Sequence, residues 1–184
     1  MSKRFSIVLI GLAFLFYVIS LANGGQTTLH RSVAPIEAYE MWQENPGKVK
    51  IVDCRTTEEY VFVGHAFMAH NIPSHLWTGK WDPKEKRFVF ATNPDFEDLI
   101  KKKFALDDTI LIMCRSGGRS DEAVDRLTKA GFTNVYNIMN GFEGDKVTDA
   151  ESYYKGKRVK NGWKNSGAPW TYKLNPRLIY SSNR

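Results

Sequence analysis

The chain has 184 residues and a net charge of +6, with 42% hydrophobic and 25% charged residues, the composition of an ordinary globular protein with one core. Its two cysteines are too few for a disulfide scaffold, and no paired Cys or His ligands flank them, so we expect no metal site. The mild positive charge favours small anionic substrates. A basic stripe with a nucleic-acid-reading motif is absent from the sequence, so no nucleic-acid partner is expected.

The first 22 residues have the pattern of a secretory signal. Lys3 and Arg4 precede an apolar run that continues to Ala22, and the small side chains of Ser20 and Ala22 suit cleavage after Ala22. The run has about 18 residues, so an uncleaved membrane anchor is the alternative. Both interpretations place the folded part outside the cytoplasm. We expect an exported, periplasmic protein that contacts a membrane only if residues 1–22 are retained.

After a linker at residues 23–31, short apolar runs alternate with helical patterns. Three runs predict buried strands: Val49 to Val52, Thr109 to Met113 and Val135 to Ile138. Helices are predicted from Pro35 to Glu44, from Glu58, from an N-cap at Asp95 to about Phe104, and from about Ser120 to Lys129. A further strand is predicted to end at Pro73. Residues 74–94 are rich in Trp, Pro and Lys and predict an irregular segment.

This alternation predicts an α/β domain in three layers, in which a central, mostly parallel sheet of about five strands lies between helices on both faces. Continuous apolar strands, rather than alternating ones, indicate that both faces of the sheet are buried. In such sheets ligands bind beyond the carboxyl ends of the strands. The residues that follow the strands are therefore the candidates for chemistry.

A segment that combines a nucleophile with anion-binding groups follows the second of the three runs. It reads Cys114-Arg115-Ser116-Gly117-Gly118-Arg119-Ser120. The two glycines let the loop curl, so that backbone N–H groups form a concave nest around Cys114. The start of the next helix and the two arginines add positive charge, which favours a nucleophilic thiolate and stabilises a persulfide. The alternative, a buried inert cysteine before a glycine turn, requires neither arginine.

The Cys114 loop resembles the active-site loop of the rhodanese-like sulfurtransferases. Other motifs similar to those of that family follow in the same order: Val52-Asp53-Cys54-Arg55, Asn71-Ile72-Pro73, Gly131-Phe132, Gly141-Phe142-Glu143-Gly144 and Gly162-Trp163. The resemblance implies a rhodanese-like fold over residues 32–174. It also implies insertions at about residues 74–94 and 145–161, with residues 175–184 as a C-terminal tail.

The resemblance further implies a reaction. Cys114 would take a sulfane sulfur from a small anionic donor such as thiosulfate, become a persulfide, and pass the sulfur to a thiol or another thiophilic acceptor, with no cofactor. Arg115 and Arg119 would hold the donor. The backbone N–H groups of Ser116, Gly117, Gly118, Arg119 and Ser120 would form the nest. Asp53 and Arg55 would be supporting residues that fix loops near the site.

Two alternatives remain open at this point. Phosphatases with this fold have five residues between Cys and Arg, whereas four separate Cys114 from Arg119 and Ser120 stands where that arginine would be. The shorter loop makes a phosphatase or arsenate reductase the weaker alternative. By resemblance to the same phosphatases, Cys54 is either a resolving thiol for Cys114, in a redox or sulfur-carrier module, or a buried inert residue.

The aromatic residues of the first insertion also have two interpretations. Trp77 and Trp81 either add to the hydrophobic core, which is the usual position of such side chains, or line the pocket mouth and select the acceptor.

Overall fold

A computed structural model describes residues 31–181. The strands in this range are β1 (Ser32–Val33), β2 (Val49–Asp53), β3 (His70–Asn71), β4 (His75–Asp82), β5 (Arg87–Thr92), β6 (Thr109–Met113), β7 (Asn134–Ile138), β8 (Asp145–Lys146) and β9 (Arg158–Lys160). The helices are α1 (Pro35–Glu44), α2 (Thr57–Val63), α3 (Phe96–Lys103), α4 (Gly118–Lys129) and α5 (Gly162–Asn165).

One five-stranded sheet organises the domain. Its strand order is β1-β7-β6-β2-β3, and every neighbouring pair is parallel. Successive residues of β6 point to opposite faces, so Leu111 packs into one hydrophobic cluster while Ile110 and Ile112 pack into the other. Each of these fully buried side chains contributes about 1.5–3 kcal/mol. The predicted three-layer α/β fold with a parallel sheet is confirmed.

Several predicted elements have the expected bounds, including the N-cap position of α3 at Asp95. The helix from Pro35 to Glu44 and the strand from Thr109 to Met113 are confirmed. Asp95 precedes α3, but its side chain makes no capping hydrogen bond because its backbone is not extended (φ −91°, ψ 3°). Instead, the Asn93 side chain accepts a hydrogen bond from the Asp95 N–H at 3.1 Å.

The insertion at residues 74–94 is regular, not irregular as predicted. β4 and β5 form an antiparallel hairpin in which His75 pairs with Thr92 and Asp82 pairs with Arg87. Its tryptophans do not add to the core, because Trp77 and Trp81 are about half exposed and pack on Phe88. The apolar run at residues 88–91 forms part of β5, although the Trp, Pro and Lys residues around it suggested an irregular segment.

A second hairpin, β8–β9, lies within the insertion at residues 145–161, and Tyr153 between its strands is 83% exposed. The C-terminal segment, predicted as a tail, packs against the domain through residue 181. The Leu178 carbonyl accepts a hydrogen bond from the Asn71 N–H at 2.8 Å, and Ile179 packs against the core. This contact covers the edge strand β3, which would otherwise present unpaired backbone groups.

The predicted signal or anchor at residues 1–22 and nearly all of the predicted linker lie outside the described residues. An exported, periplasmic location therefore stays a prediction. Between residues 31 and 181, no helix has the length and apolar character needed to cross a bilayer.

His70 in β3 makes the stability of the fold depend on pH. Its ring packs edge-on against Phe104, with 5.0 Å between centroids, and its buried Nδ1 has no hydrogen-bond partner among the described residues. Burial, and then the charges of Lys103 and Lys50, lower the pKa of His70 to about 4. The unfolded chain therefore binds this proton first. The contribution of neutral His70 to the free energy of unfolding is fully present above pH 6.5, which is about the pKa of histidine in an unfolded chain. This contribution is lost as the pH falls towards 4.

We expect the free energy of unfolding to decrease from pH 6.5 to pH 4, and His70→Phe to reduce that decrease because phenylalanine cannot take up a proton. Urea unfolding of both chains at several pH values measures the difference. Equal pH dependence in the two chains would show that His70 does not titrate in this way.

Candidate active site

The turn after β7 holds the loop that carries Cys114. We call residues 139–143 the supporting turn. The N–H groups of Phe142 and Glu143 donate to the carbonyl oxygens of Cys114 and Arg115 at 2.7 and 2.9 Å. The N–H and C=O of a trans peptide unit point in opposite directions, so these bonds turn the N–H groups of Arg115 and Ser116 away from the supporting turn.

Gly141 allows this close approach. Its φ is +59°, and a Cβ atom added there would lie 2.4 Å from the Cys114 carbonyl oxygen. Any side chain at this position would separate the supporting turn from the loop. The glycine therefore fixes the loop conformation through backbone contact.

Cys114 follows β6 directly and lies at the base of an open cavity, with 2% of its surface exposed. The Gly117 N–H donates to Sγ at 3.2 Å, with Gly117 at φ +108°. Helix α4 begins at the next residue, so its first N–H groups, which have no partner within the helix, and the positive end of its dipole lie close to the sulfur. This arrangement stabilises negative charge on Sγ.

Arg119 does not present the free guanidinium that was predicted to hold the donor. It forms two hydrogen bonds to the carboxylate of Glu59, both 2.7 Å long. Burial alone would lower the pKa of Arg119 and raise that of Glu59, but the pair reverses both shifts. Arg119 still lines the cavity, with most of its charge neutralised by Glu59, a residue that the sequence analysis did not select.

Ser120 was predicted to contribute its backbone N–H group to the nest, and its side chain has a separate, structural position. It is buried in the first turn of α4, and its hydroxyl donates to the Gly117 carbonyl at 2.9 Å and bonds to the Asn137 side-chain oxygen at 2.7 Å. Its side chain therefore fixes the loop and is not directed at a substrate. By contrast, Arg115, Ser116 and Gly118 line the cavity.

Asp53 and Arg55 form a buried pair at the end of β2. Arg55 donates to both Asp53 oxygens, the shortest contact being 2.6 Å, and to the Gly64 carbonyl at 2.7 Å. Its guanidinium lies over the Phe142 ring at 4.1 Å and within 3.8 Å of the Glu143 carboxylate. The pair thus contacts the two residues whose N–H groups hold the Cys114 loop.

Cys54 lies beside Cys114 at the edge of the sheet. β2 and β6 pair in register, with Asp53 opposite Met113, so the two cysteines follow at adjacent strand ends. Both are free and buried. Burial, and then the charge of Cys114, raise the pKa of the Cys54 thiol well above its usual value, so Cys54 is a neutral thiol at pH 7.

A reversible disulfide between Cys54 and Cys114 stays a prediction. Intact-mass spectrometry after mild oxidation tests it, because forming the disulfide removes two hydrogen atoms from the protein.

The cavity over Cys114 has a volume of about 570 Å³. The Cys114 loop and Glu59 form one wall, and the β4–β5 hairpin forms the other through these residues: His75, Asp82, Arg87, Phe88, Val89 and Phe90. Sequence reasoning pointed to Trp77 and Trp81 in this insertion, but Phe88 and Phe90 face the cavity instead. The short run of consecutive apolar residues at positions 88–91 was the signal that could have identified a strand here. Throughout residues 31–181, no cluster of side chains suits a metal ion.

Comparisons with known proteins place this geometry in a family. Residues 36–147 match the sequence model of the Rhodanese-like domain. An uncharacterized protein of Rickettsia rickettsii is 33% identical over 148 residues, which cover 77% of this chain and 98% of the relative. Thiosulfate sulfurtransferase 16, a chloroplastic protein of Arabidopsis thaliana, is 37% identical over 93 residues, which cover 50% of this chain and 70% of the relative.

Solved structures agree with the sequence match. The crystal structure of the Rv0390 protein from M. tuberculosis superposes with a TM-score of 0.59 at 28% identity, covering 77% of this chain and 99% of that one. The solution structure of a rhodanese-like domain from Anabaena sp. has a TM-score of 0.53 at 16% identity, covering 84% and 88%, and shares the fold. The family match spans more than half of the chain, and the fold agrees with it, so this chain belongs to the rhodanese-like domain family.

Proposed function

We propose that this protein is a sulfurtransferase that carries a sulfane sulfur on Cys114. The observation that carries the proposal is the hydrogen bond from the Gly117 N–H to Cys114 Sγ, at 3.2 Å, within a loop that opens onto a cavity. A buried structural cysteine has no need of an anion-binding loop. The name of the Arabidopsis relative, a thiosulfate sulfurtransferase, supports the same reaction.

The first half of the reaction loads sulfur onto the protein. The Cys114 thiolate attacks the outer sulfur of thiosulfate, a bond forms between the two sulfur atoms, and the S–S bond of the donor breaks. Its electron pair leaves with sulfite, and Cys114 becomes a persulfide anion. The Gly117 N–H, which already donates to Sγ, and the positive end of α4 stabilise this anion.

The second half passes the sulfur on. An acceptor thiolate attacks the outer sulfur of the protonated persulfide, and the bond between that sulfur and Cys114 Sγ breaks. The electron pair returns to Cys114 as the thiolate, and the acceptor leaves as a persulfide. Because the same loop holds the thiolate and the persulfide anion, the two covalent states are stabilised by one set of N–H groups.

The site favours a single sulfur over a phosphoryl group. Three phosphoryl oxygens need a wide loop and a free arginine. Here the Ser120 hydroxyl is directed into the fold, and Arg119 is held by Glu59 at 2.7 Å. Phosphate-ester hydrolysis is therefore an outcome for the test and not a second proposal.

Treatment with thiosulfate is expected to add the mass of one sulfur atom to the protein, and cyanide is expected to remove it. Intact-mass spectrometry measures both steps. Cys114→Ser is expected to gain nothing, whereas Cys54→Ser is expected to load like the unmodified chain. Hydrolysis of an aryl phosphate without any gain of sulfur would overturn the proposal in favour of a phosphatase.

The supporting turn gives a second prediction. Gly141→Ala is expected to lower the rate of sulfur loading by at least about tenfold, a loss of about 1.4 kcal/mol in the transition state, because the new Cβ moves the turn away from the loop carbonyls. Gly156→Ala is the matched control: Gly156 also has a positive φ, of +80°, but no atom lies within 4 Å of its added Cβ.

Both variants are expected to lose about 1 kcal/mol of stability from backbone strain, and Gly141→Ala to lose more because of the contact with Cys114. Urea unfolding measures that difference, and loading rates are compared for folded protein only. Equal loading rates in the two variants would contradict the role assigned to the turn.

A further inference from the structure

The β4–β5 hairpin gives the cavity an aromatic wall that is partly exposed. Phe88 and Phe90 line the cavity and are 42% and 40% exposed. The Phe88 ring packs against Trp77 at 4.9 Å and Trp81 at 5.3 Å, so the wall is an aromatic cluster with one side open. Such half-exposed rings are available for contact with an apolar ligand.

The cavity also contains two guanidinium groups that form no ion pair with a carboxylate among residues 31–181. Arg119 is paired with Glu59, but neither Arg87 nor Arg115 forms an ion pair within the described part of the chain. The remaining acid of the hairpin wall, Asp82, accepts N–H groups of the hairpin turn at 2.9 and 3.1 Å. A ligand carboxylate is the complement that this cavity lacks.

The base of the hairpin is attached firmly enough to hold this wall in place. Arg126 of α4 donates to the carbonyls of Ser74 and Asn93, at 3.4 and 3.0 Å, and the Asn93 N–H donates to the Ser74 carbonyl at 2.9 Å. The Ser74 N–H in turn donates to the Cys54 carbonyl at 3.1 Å. The aromatic wall is therefore connected to the strand end beside Cys114.

The volume of the cavity exceeds the needs of an inorganic donor. Cavities of about 300–1,000 Å³ enclose drug-sized organic ligands. This cavity, of about 570 Å³, lies in that range, whereas thiosulfate is an ion of a few atoms. The cavity thus has the volume, the exposed aromatic rings and the unpaired guanidinium groups that an organic sulfur acceptor, the second substrate, would need for binding.

We propose that the physiological acceptor is a low-molecular-weight thiol with an apolar or planar body and a carboxylate, and that the hairpin selects it. The inference rests on the proposed sulfur transfer and adds the class of acceptor. Phe90, whose ring lies 5.7 Å from the Arg119 guanidinium, contacts the body of the acceptor, and Arg87 pairs with its carboxylate. The thiol then reaches the outer sulfur on Cys114 and takes it as described above.

The test compares three acceptors with protein that has been loaded from thiosulfate. The probes are para-mercaptophenylacetate, its neutral amide, and mercaptoacetate, which has the carboxylate but no ring. The intrinsic reactivity of each thiol cancels when the ratio of two kcat/KM values is compared between variants. The ring ratio is kcat/KM for para-mercaptophenylacetate divided by kcat/KM for mercaptoacetate, and it reports recognition of the ring. The charge ratio is kcat/KM for para-mercaptophenylacetate divided by kcat/KM for its amide, and it reports recognition of the carboxylate.

Phe90→Ala is expected to lower the ring ratio about fivefold, and Arg87→Gln to lower the charge ratio about threefold, as suits partly exposed contacts. The matched controls are Tyr153→Ala, an exposed aromatic of the other hairpin, and Lys84→Gln, a cation of the same hairpin outside the cavity lining. Both controls are expected to keep the ratios of the unmodified chain.

Unchanged ratios in Phe90→Ala and Arg87→Gln, with normal sulfur loading, would overturn the acceptor class and leave the sulfurtransferase intact. A failure of the unmodified chain to load sulfur would overturn both. A preference of the unmodified chain for mercaptoacetate over the ring-bearing probe, corrected for their reactivity in solution, would also contradict the inference.

Discussion

The N–H groups of Phe142 and Glu143 hold the carbonyl oxygens of Cys114 and Arg115, and the chemistry of the site depends on these two bonds. They turn the carbonyls away from the sulfur and leave the opposite side of the loop to N–H groups, of which that of Gly117 reaches Sγ. Gly141 permits the contact because it has no side chain. A negative sulfur is therefore stabilised mainly by the backbone, and the guanidinium groups play a smaller part than their number in the loop indicates.

The buried pair of Asp53 and Arg55 supports the turn that holds the Cys114 loop. Arg55 pairs with Asp53 at the end of β2. The same guanidinium contacts the Phe142 ring and the Glu143 carboxylate, and so connects β2 to the supporting turn. Removing one partner of such a buried pair typically costs about 3–5 kcal/mol, because the other charge is left uncompensated. Although the Arg55 Nη1 has no hydrogen-bond partner among residues 31–181, the contacts of the guanidinium with Asp53, Gly64 and Phe142 fix the position of the turn that orients the Cys114 loop.

The sequence was sufficient for strands β2, β6 and β7, the helix α4 and the Cys114 loop, because buried apolar strands and a glycine-rich loop have strong local patterns, whereas the two residues of β1 are too few to form one. It was not sufficient for Arg119, because its partner Glu59 is distant in the chain and only the fold brings the two together. The β4–β5 hairpin was missed for a different reason: residues 88–91 form a continuous apolar run, but the surrounding Trp, Pro and Lys residues favoured the interpretation of an irregular segment. As a result the loop could be predicted from the sequence, whereas the insertion was assigned to the pocket only as an alternative and through Trp77 and Trp81 in place of Phe88 and Phe90.

The orientation of the loop amides is tested most directly by NMR of isotope-labelled protein before and after sulfur loading. If the Gly117 N–H is bonded to Cys114 Sγ, its resonance will move and its exchange with solvent will slow when the persulfide forms. The amide of Gly131, beyond the far end of α4 and bonded to the Thr128 carbonyl, will stay where it was. A Gly117 amide that does not respond to the sulfur on Cys114, and exchanges as fast as an exposed amide, would contradict the account.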